Sequence, residues 1–163
     1  MSGKPLRALL VEDSENDAML LLRELKKGGY EPDYRRVQTA EEMEEALEEG
    51  SWEVVLSDHD MPRFGAVAAL ELLRGAGHDT PFVVSGKIGE DAVVEMMRAG
   101  AQDYVTKEDM TRLCPAIERE LREVEERRRA EEALHFLSEA STELSSSLDY
   151  RSTLARVARL TVP

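Results

Sequence analysis

The stretch EVVLSDHDMP, residues 53–62, runs from an apolar segment into Asp58, His59 and Asp60, then Met61 and Pro62. A short apolar run that ends in turn residues reads as a buried strand. Working outward, the same unit recurs. LRALLV (6–11), DYRRVQ (33–38), PFVVS (81–85) and DYVTK (103–107) read as strands, the second by half-buried alternation. Pro81 opens its strand, where a missing N–H is tolerated. Helical spacing fills the gaps: 17–29, closing on a Gly pair; 40–49, with Thr39 as N-cap and Glu42 completing a capping box; 66–77; and 89–100. Five β-α repeats predict an α/β, doubly wound five-stranded parallel sheet with right-handed crossovers. Strands that are apolar throughout fit a sheet covered on both faces. In such folds the working crevice lies outside the carboxyl ends of the strands.

The whole chain narrows the choice. Its 163 residues suffice for one domain with a core and a remainder, and the net charge is −13. The densest basic run, Arg127-Arg128-Arg129, is flanked by Glu125, Glu126, Glu131 and Glu132, which reads as a solvated helix surface. No nucleic-acid partner is expected. Cys114 is the single cysteine, which suits a reducing compartment. The opening MSGKPLRALLVED has an apolar stretch broken by Glu12 and Asp13, too short for a signal peptide or a membrane span. A cytoplasmic protein without membrane contact is expected.

After residue 108 the pattern changes. Pro115 suits the first turn of a helix, and no strand or glycine signal follows to about Ser147. Leu113, Ile117, Leu121 and Val124, then Ala130, Leu134, Leu137, Leu144 and Leu148, follow spacings of three, four or seven, with a register slip between the two sets. A parallel coiled coil with a second copy is the expected partner, and a helix folded back on its own domain is the alternative. Residues 150–163 start a new helical pattern after Leu148-Asp149. The expected organisation is a domain over 1–114, a long signalling helix over 115–148, and the start of a further module over 149–163.

At the carboxyl ends of the strands stand Glu12-Asp13, Asp58, Ser85 and Lys107. Crowded carboxylates repel unless a cation joins them, and an all-oxygen set suits Mg²⁺. A lysine and a hydroxyl beside them can hold phosphoryl oxygens. An aspartate between metal and ammonium is a candidate nucleophile, since carboxylates form aspartyl-phosphates.

The acidic pair Glu12-Asp13, the run Asp58-x-x-Met61-Pro62, Ser85-Gly86 and Lys107, in that order, resemble the receiver domain of two-component response regulators over about the first 108 residues. The resemblance implies that Asp58 accepts phosphate from a phosphohistidine. It further implies that Glu12, Asp13 and Asp58 hold Mg²⁺ together with the backbone carbonyl of Asp60. Ser85 and Lys107 would bind the phosphoryl group, and Ser85 and Tyr104 would form the switch. Two features depart from the family's pattern: Lys107 is followed by Glu108 instead of proline, and the Asp-Gly frequent after Met61-Pro62 is absent. The chain itself would act only in its own phosphorylation and dephosphorylation.

Other readings compete. His59 lies between two acids, but adjacent residues seldom converge on one ion, and no second His or Cys stands at ligand spacing. Asp60 is an exposed loop acid or a tuning group, and Lys87 holds the matching place on the facing loop. The two could pair across phosphorylated Asp58 and restrict the hydrolytic water. Asp58-His59-Asp60 also resembles the nucleophile motif of haloacid-dehalogenase-type phosphatases, although the acidic pair here precedes the nucleophile. A dimerising scaffold without phosphorylation is the third class. Residues 134–163 resemble the opening helix of GAF domains, which implies a hybrid histidine kinase as one parent.

Overall fold

The inner strands form because short Val/Leu-rich runs can bury both faces between helices. The computed structural model describes residues 3–160. Its elements are β1 (Lys4–Val11), α1 (Glu15–Lys27), β2 (Tyr30–Val37), α2 (Ala40–Glu49), β3 (Val54–Asp58), α3 (Ala66–Gly75), β4 (Phe82–Ser85), α4 (Glu90–Ala99) and β5 (Asp103–Val105). A 3₁₀ turn (Met110–Arg112) leads into α5 (Leu113–Leu160). The sheet is parallel throughout, in the order β2-β1-β3-β4-β5.

Alternation along the strands sorts the core into two faces. Leu9, Val11, Val55, Phe82 and Val84 meet Met43, Ala46, Ala69, Leu70, Leu73 and Met96 on the side of α2, α3 and α4. Ala8, Leu10, Val54, Leu56, Val83 and Val105 meet Leu21, Leu22 and Leu25 of α1 and Leu113 and Ile117 of α5 on the other. The doubly wound reading of the sequence is therefore the observed fold.

The differences from the expected bounds have causes. β2 starts at Tyr30 instead of residue 33 and carries Pro32, which an edge strand tolerates. α1 starts at Glu15 instead of residue 17, because Ser14 caps it by accepting from the Asp17 N–H at 3.2 Å. β5 pairs with β4 over Asp103–Val105 and ends there, so Lys107 lies in the loop beyond the strand and not at its end.

The chain divides into two compact units, Met1–Leu121 and Arg122–Pro163. In the second, the described residues are helical to Leu160 without a break at Leu148-Asp149. No Gly or Pro falls between Ala116 and Leu160 to stop the helix there. The last three residues of the expected further module, 161–163, lie outside the described residues. Leu134, Leu137, Leu144 and Leu148 are all exposed. No described helix is long and apolar enough to cross a membrane.

Candidate functional site

Parallel pairing brings the strand ends into one row. Val11 pairs with Ser57, Asp58 with Ser85, and Ser85 with Val105. Glu12, one residue past β1, is fully buried, Asp58 is 5% exposed and Ser85 2%. Carboxylate oxygens of Glu12, Asp17 and Asp58 all lie within 4.8 Å of one another. At such a separation two carboxylates repel by about 3 kcal/mol at an effective dielectric near 20.

The protein answers this repulsion in two ways. Burial first of all, helped by the charges of Asp58 and Asp17, raises Glu12 from 4.5 to about 7, against the Ser14 hydrogen bond and Lys107. Burial likewise raises Asp58, with Asp13 and Asp17 adding to it and Lys107 and the Asp60 backbone amide opposing. Lys107 Nζ sits 2.6 Å from Asp17 Oδ2. Burial disfavours its charge, but the Asp17 hydrogen bond and the surrounding acids outweigh that, so its pKa is raised and it stays an ammonium.

Glu12 Oε1 accepts from the Ser14 N–H at 3.0 Å. Its other oxygen, Oε2, is buried with no hydrogen-bond partner. A buried, unpartnered carboxylate oxygen beside two further carboxylates has the chemistry of a ligand waiting for a hard cation. The residues present thus fit Mg²⁺.

The remaining expected residues are placed as follows. Asp13 is exposed and lines a neighbouring polar groove with Gln38, Thr39, Glu42 and Arg63. Ser85 Oγ lies 3.5 Å from the Ser57 carbonyl. Tyr104 is partly buried against the α2–α4 side of the core, with the Arg112 guanidinium 5.7 Å over its ring. Asp60 and Lys87 are both exposed, and no ion pair joins them among the described residues. His59 belongs to no carboxylate cluster among the described residues, and its Nδ1 is buried without a partner. Gly86 has φ +130°, and a Cβ there would lie 2.7 Å from Asp58 Oδ1, so only glycine lets this backbone pass the carboxylate.

Asp17 was missed by reading strand ends, because it lies on α1. The available signal was Ser14-x-x-Asp17, a helix-start pattern that puts residue 17 in the first turn, next to the sheet edge.

Comparison with known proteins gives the class. Residues 8–118 match the profile of the response regulator receiver domain. Two-component response regulator ORR41 of Oryza sativa subsp. japonica is 30% identical over 110 residues, covering 66% of this chain and 87% of that protein. The signal receiver domain of a Vibrio parahaemolyticus protein assigned as a LuxO repressor superposes with a TM-score of 0.68 at 22% identity, covering 78% of this chain and 98% of that one. The receiver domain of a signal transduction histidine kinase from Syntrophus aciditrophicus gives 0.60 at 26% identity, covering 73% and 92%. The chain belongs to the response regulator receiver domain family. Receiver domains take phosphate from histidine kinases or phosphotransfer proteins, and membership sets aside the haloacid-dehalogenase reading.

Proposed function

We propose that Asp58 is the phospho-acceptor of this receiver, taking a phosphoryl group from a phosphohistidine. The observation that carries this is the placement of Asp58 on a central strand, 5% exposed, within 4.8 Å of two further carboxylates and within the field of Lys107. An Asp58 carboxylate oxygen bonds to phosphorus as the phosphorus–nitrogen bond of the donor breaks, and the electron pair leaves with the imidazole.

Glu12, Asp13 and Asp58, with the Asp60 backbone carbonyl, would hold Mg²⁺. When bound, the ion neutralises charge on the transferring phosphoryl group. Lys107 supplies a mobile ammonium and Ser85 a hydroxyl for the phosphoryl oxygens. Movement of Ser85 toward them would open room for Tyr104 to turn inward. Asp60 and Lys87, both exposed on loops that flank the acceptor, would tune the lifetime of the phosphate. No further catalytic activity is assigned to this chain.

The apolar row Leu134, Leu137, Leu144 and Leu148 supports a parallel homodimeric coiled coil. Through it the phosphorylation state would pass to a following GAF-like module, in a cytoplasmic protein. The likeness to a receiver domain from a histidine kinase supports a hybrid kinase as parent. The test is incubation with acetyl phosphate and MgCl₂. An acid-stable, base-labile phosphoprotein is expected from the natural chain and none from Asp58→Asn. Equal behaviour of the two would favour a phosphorylation-independent scaffold.

A further inference from the structure

Asp17 owes its position to a contest over one N–H group. In a capping box, the carboxylate at the third helical position takes the backbone N–H of the cap residue. Here the cap is Ser14, and its N–H is already held by Glu12 Oε1 at 3.0 Å. The Asp17 carboxylate is thereby left over, and it turns to Lys107 Nζ at 2.6 Å. One of its oxygens remains within 4.8 Å of one oxygen each of Glu12 and Asp58. Glu12 itself is 0% exposed, and its Oε2 has no partner. Glu12, Asp17, Ser85 and Lys107 also line one small cavity, whereas Asp13 lines the separate groove.

We propose that Asp17 adds a further carboxylate to the cation-binding site of Glu12, Asp13 and Asp58, and that Lys107 occupies its place as counter-ion until a divalent cation arrives. The proposal rests on the receiver reading above. A divalent ion and an ammonium cannot share the Asp17 oxygen without repelling each other. Cation binding therefore releases Lys107, and its flexible four-carbon stem frees the ammonium for a phosphoryl oxygen at Asp58. One ion pair thus keeps the lysine occupied when no metal is present, and couples metal loading to readiness for phosphate.

Calorimetric titration of MgCl₂ into the full chain tests this. Asp17→Asn is expected to weaken Mg²⁺ binding by about tenfold. Lys107→Met is expected to tighten binding by about threefold or more in the natural background and to leave it unchanged in Asp17→Asn, since the competing ammonium then has no oxygen to defend. Asp17→Glu retains the carboxylate and should recover part of the lost affinity. Thermal unfolding of each variant identifies any that fail to fold. A loss of less than about threefold with Asp17→Asn would overturn the proposal, as would no tightening with Lys107→Met. If the natural chain bound no Mg²⁺ at all, the cation reading of the site would fall with it; binding indifferent to Asp17 would remove only this inference.

Discussion

Glu12 carries the most unusual chemistry of any single residue here. Burial raises its pKa from 4.5 to about 7, so the folded chain retains a proton there that the unfolded chain has lost. The sign follows from linkage: this contribution to stability is fully present below the unfolded value and is lost as pH rises through the folded one. In metal-free buffer, raising the pH from about 5 to about 8 should cost on the order of 3 kcal/mol of unfolding free energy through this group. Glu12→Gln should flatten that slope in urea titrations at several pH values, and an unchanged slope would contradict the assignment. Mg²⁺ favours the charged form and should restore stability at the upper end of the range. Much of the site was legible at this scale. Glu12, Asp58 and Ser85 stand at or next to strand ends, where a sheet of known order must bring them together. Asp17 was not legible in that way, because its role depends on Glu12 having taken the Ser14 N–H, a contact between a strand end and a helix cap.

At the scale of elements, α1 and its cap tie the site to the sheet. Ser14→Ala removes the acceptor for the Asp17 N–H and should cost about 1 kcal/mol, measured by chemical denaturation. Because the same residue fixes the first turn that carries Asp17, this variant should also weaken Mg²⁺ binding. A stability loss with no change in Mg²⁺ affinity would separate cap from site. The order of elements could be read from hydrophobic periodicity, and the Thr39 cap was recovered, with its Oγ accepting from the Glu42 N–H at 3.2 Å. The first residues of β2 were not legible, since Tyr30-Glu31-Pro32 lacks the alternation of a strand and is held extended by pairing with Lys4, Pro5 and Leu6. Likewise β5 ends at Val105, short of the expected residue 107, and Lys107 beyond it reaches Asp17 of α1.

For the whole molecule, the open question is what covers the apolar row of the second unit. Leu134, Leu137, Leu144 and Leu148 are each more than 60% exposed, and the intervening heptad place is Ser141. A homodimer through this row predicts that Leu137→Asp with Leu144→Asp shifts the chain to monomer in sedimentation equilibrium, at least tenfold weaker in self-association by the roughly 1.4 kcal/mol per decade relation. The same substitutions should leave Mg²⁺ binding by the first unit intact. A natural chain that stays monomeric at every concentration would contradict the dimer.

The proposed function depends on Asp58 being the residue that accepts phosphate. Intact-mass measurement after incubation with acetyl phosphate and MgCl₂ tests that most directly. The account predicts one added phosphoryl group on the natural chain, lost in base, absent when EDTA replaces MgCl₂ and absent in Asp58→Asn. An unmodified natural chain, or an Asp58→Asn variant that gains the same mass, would contradict it.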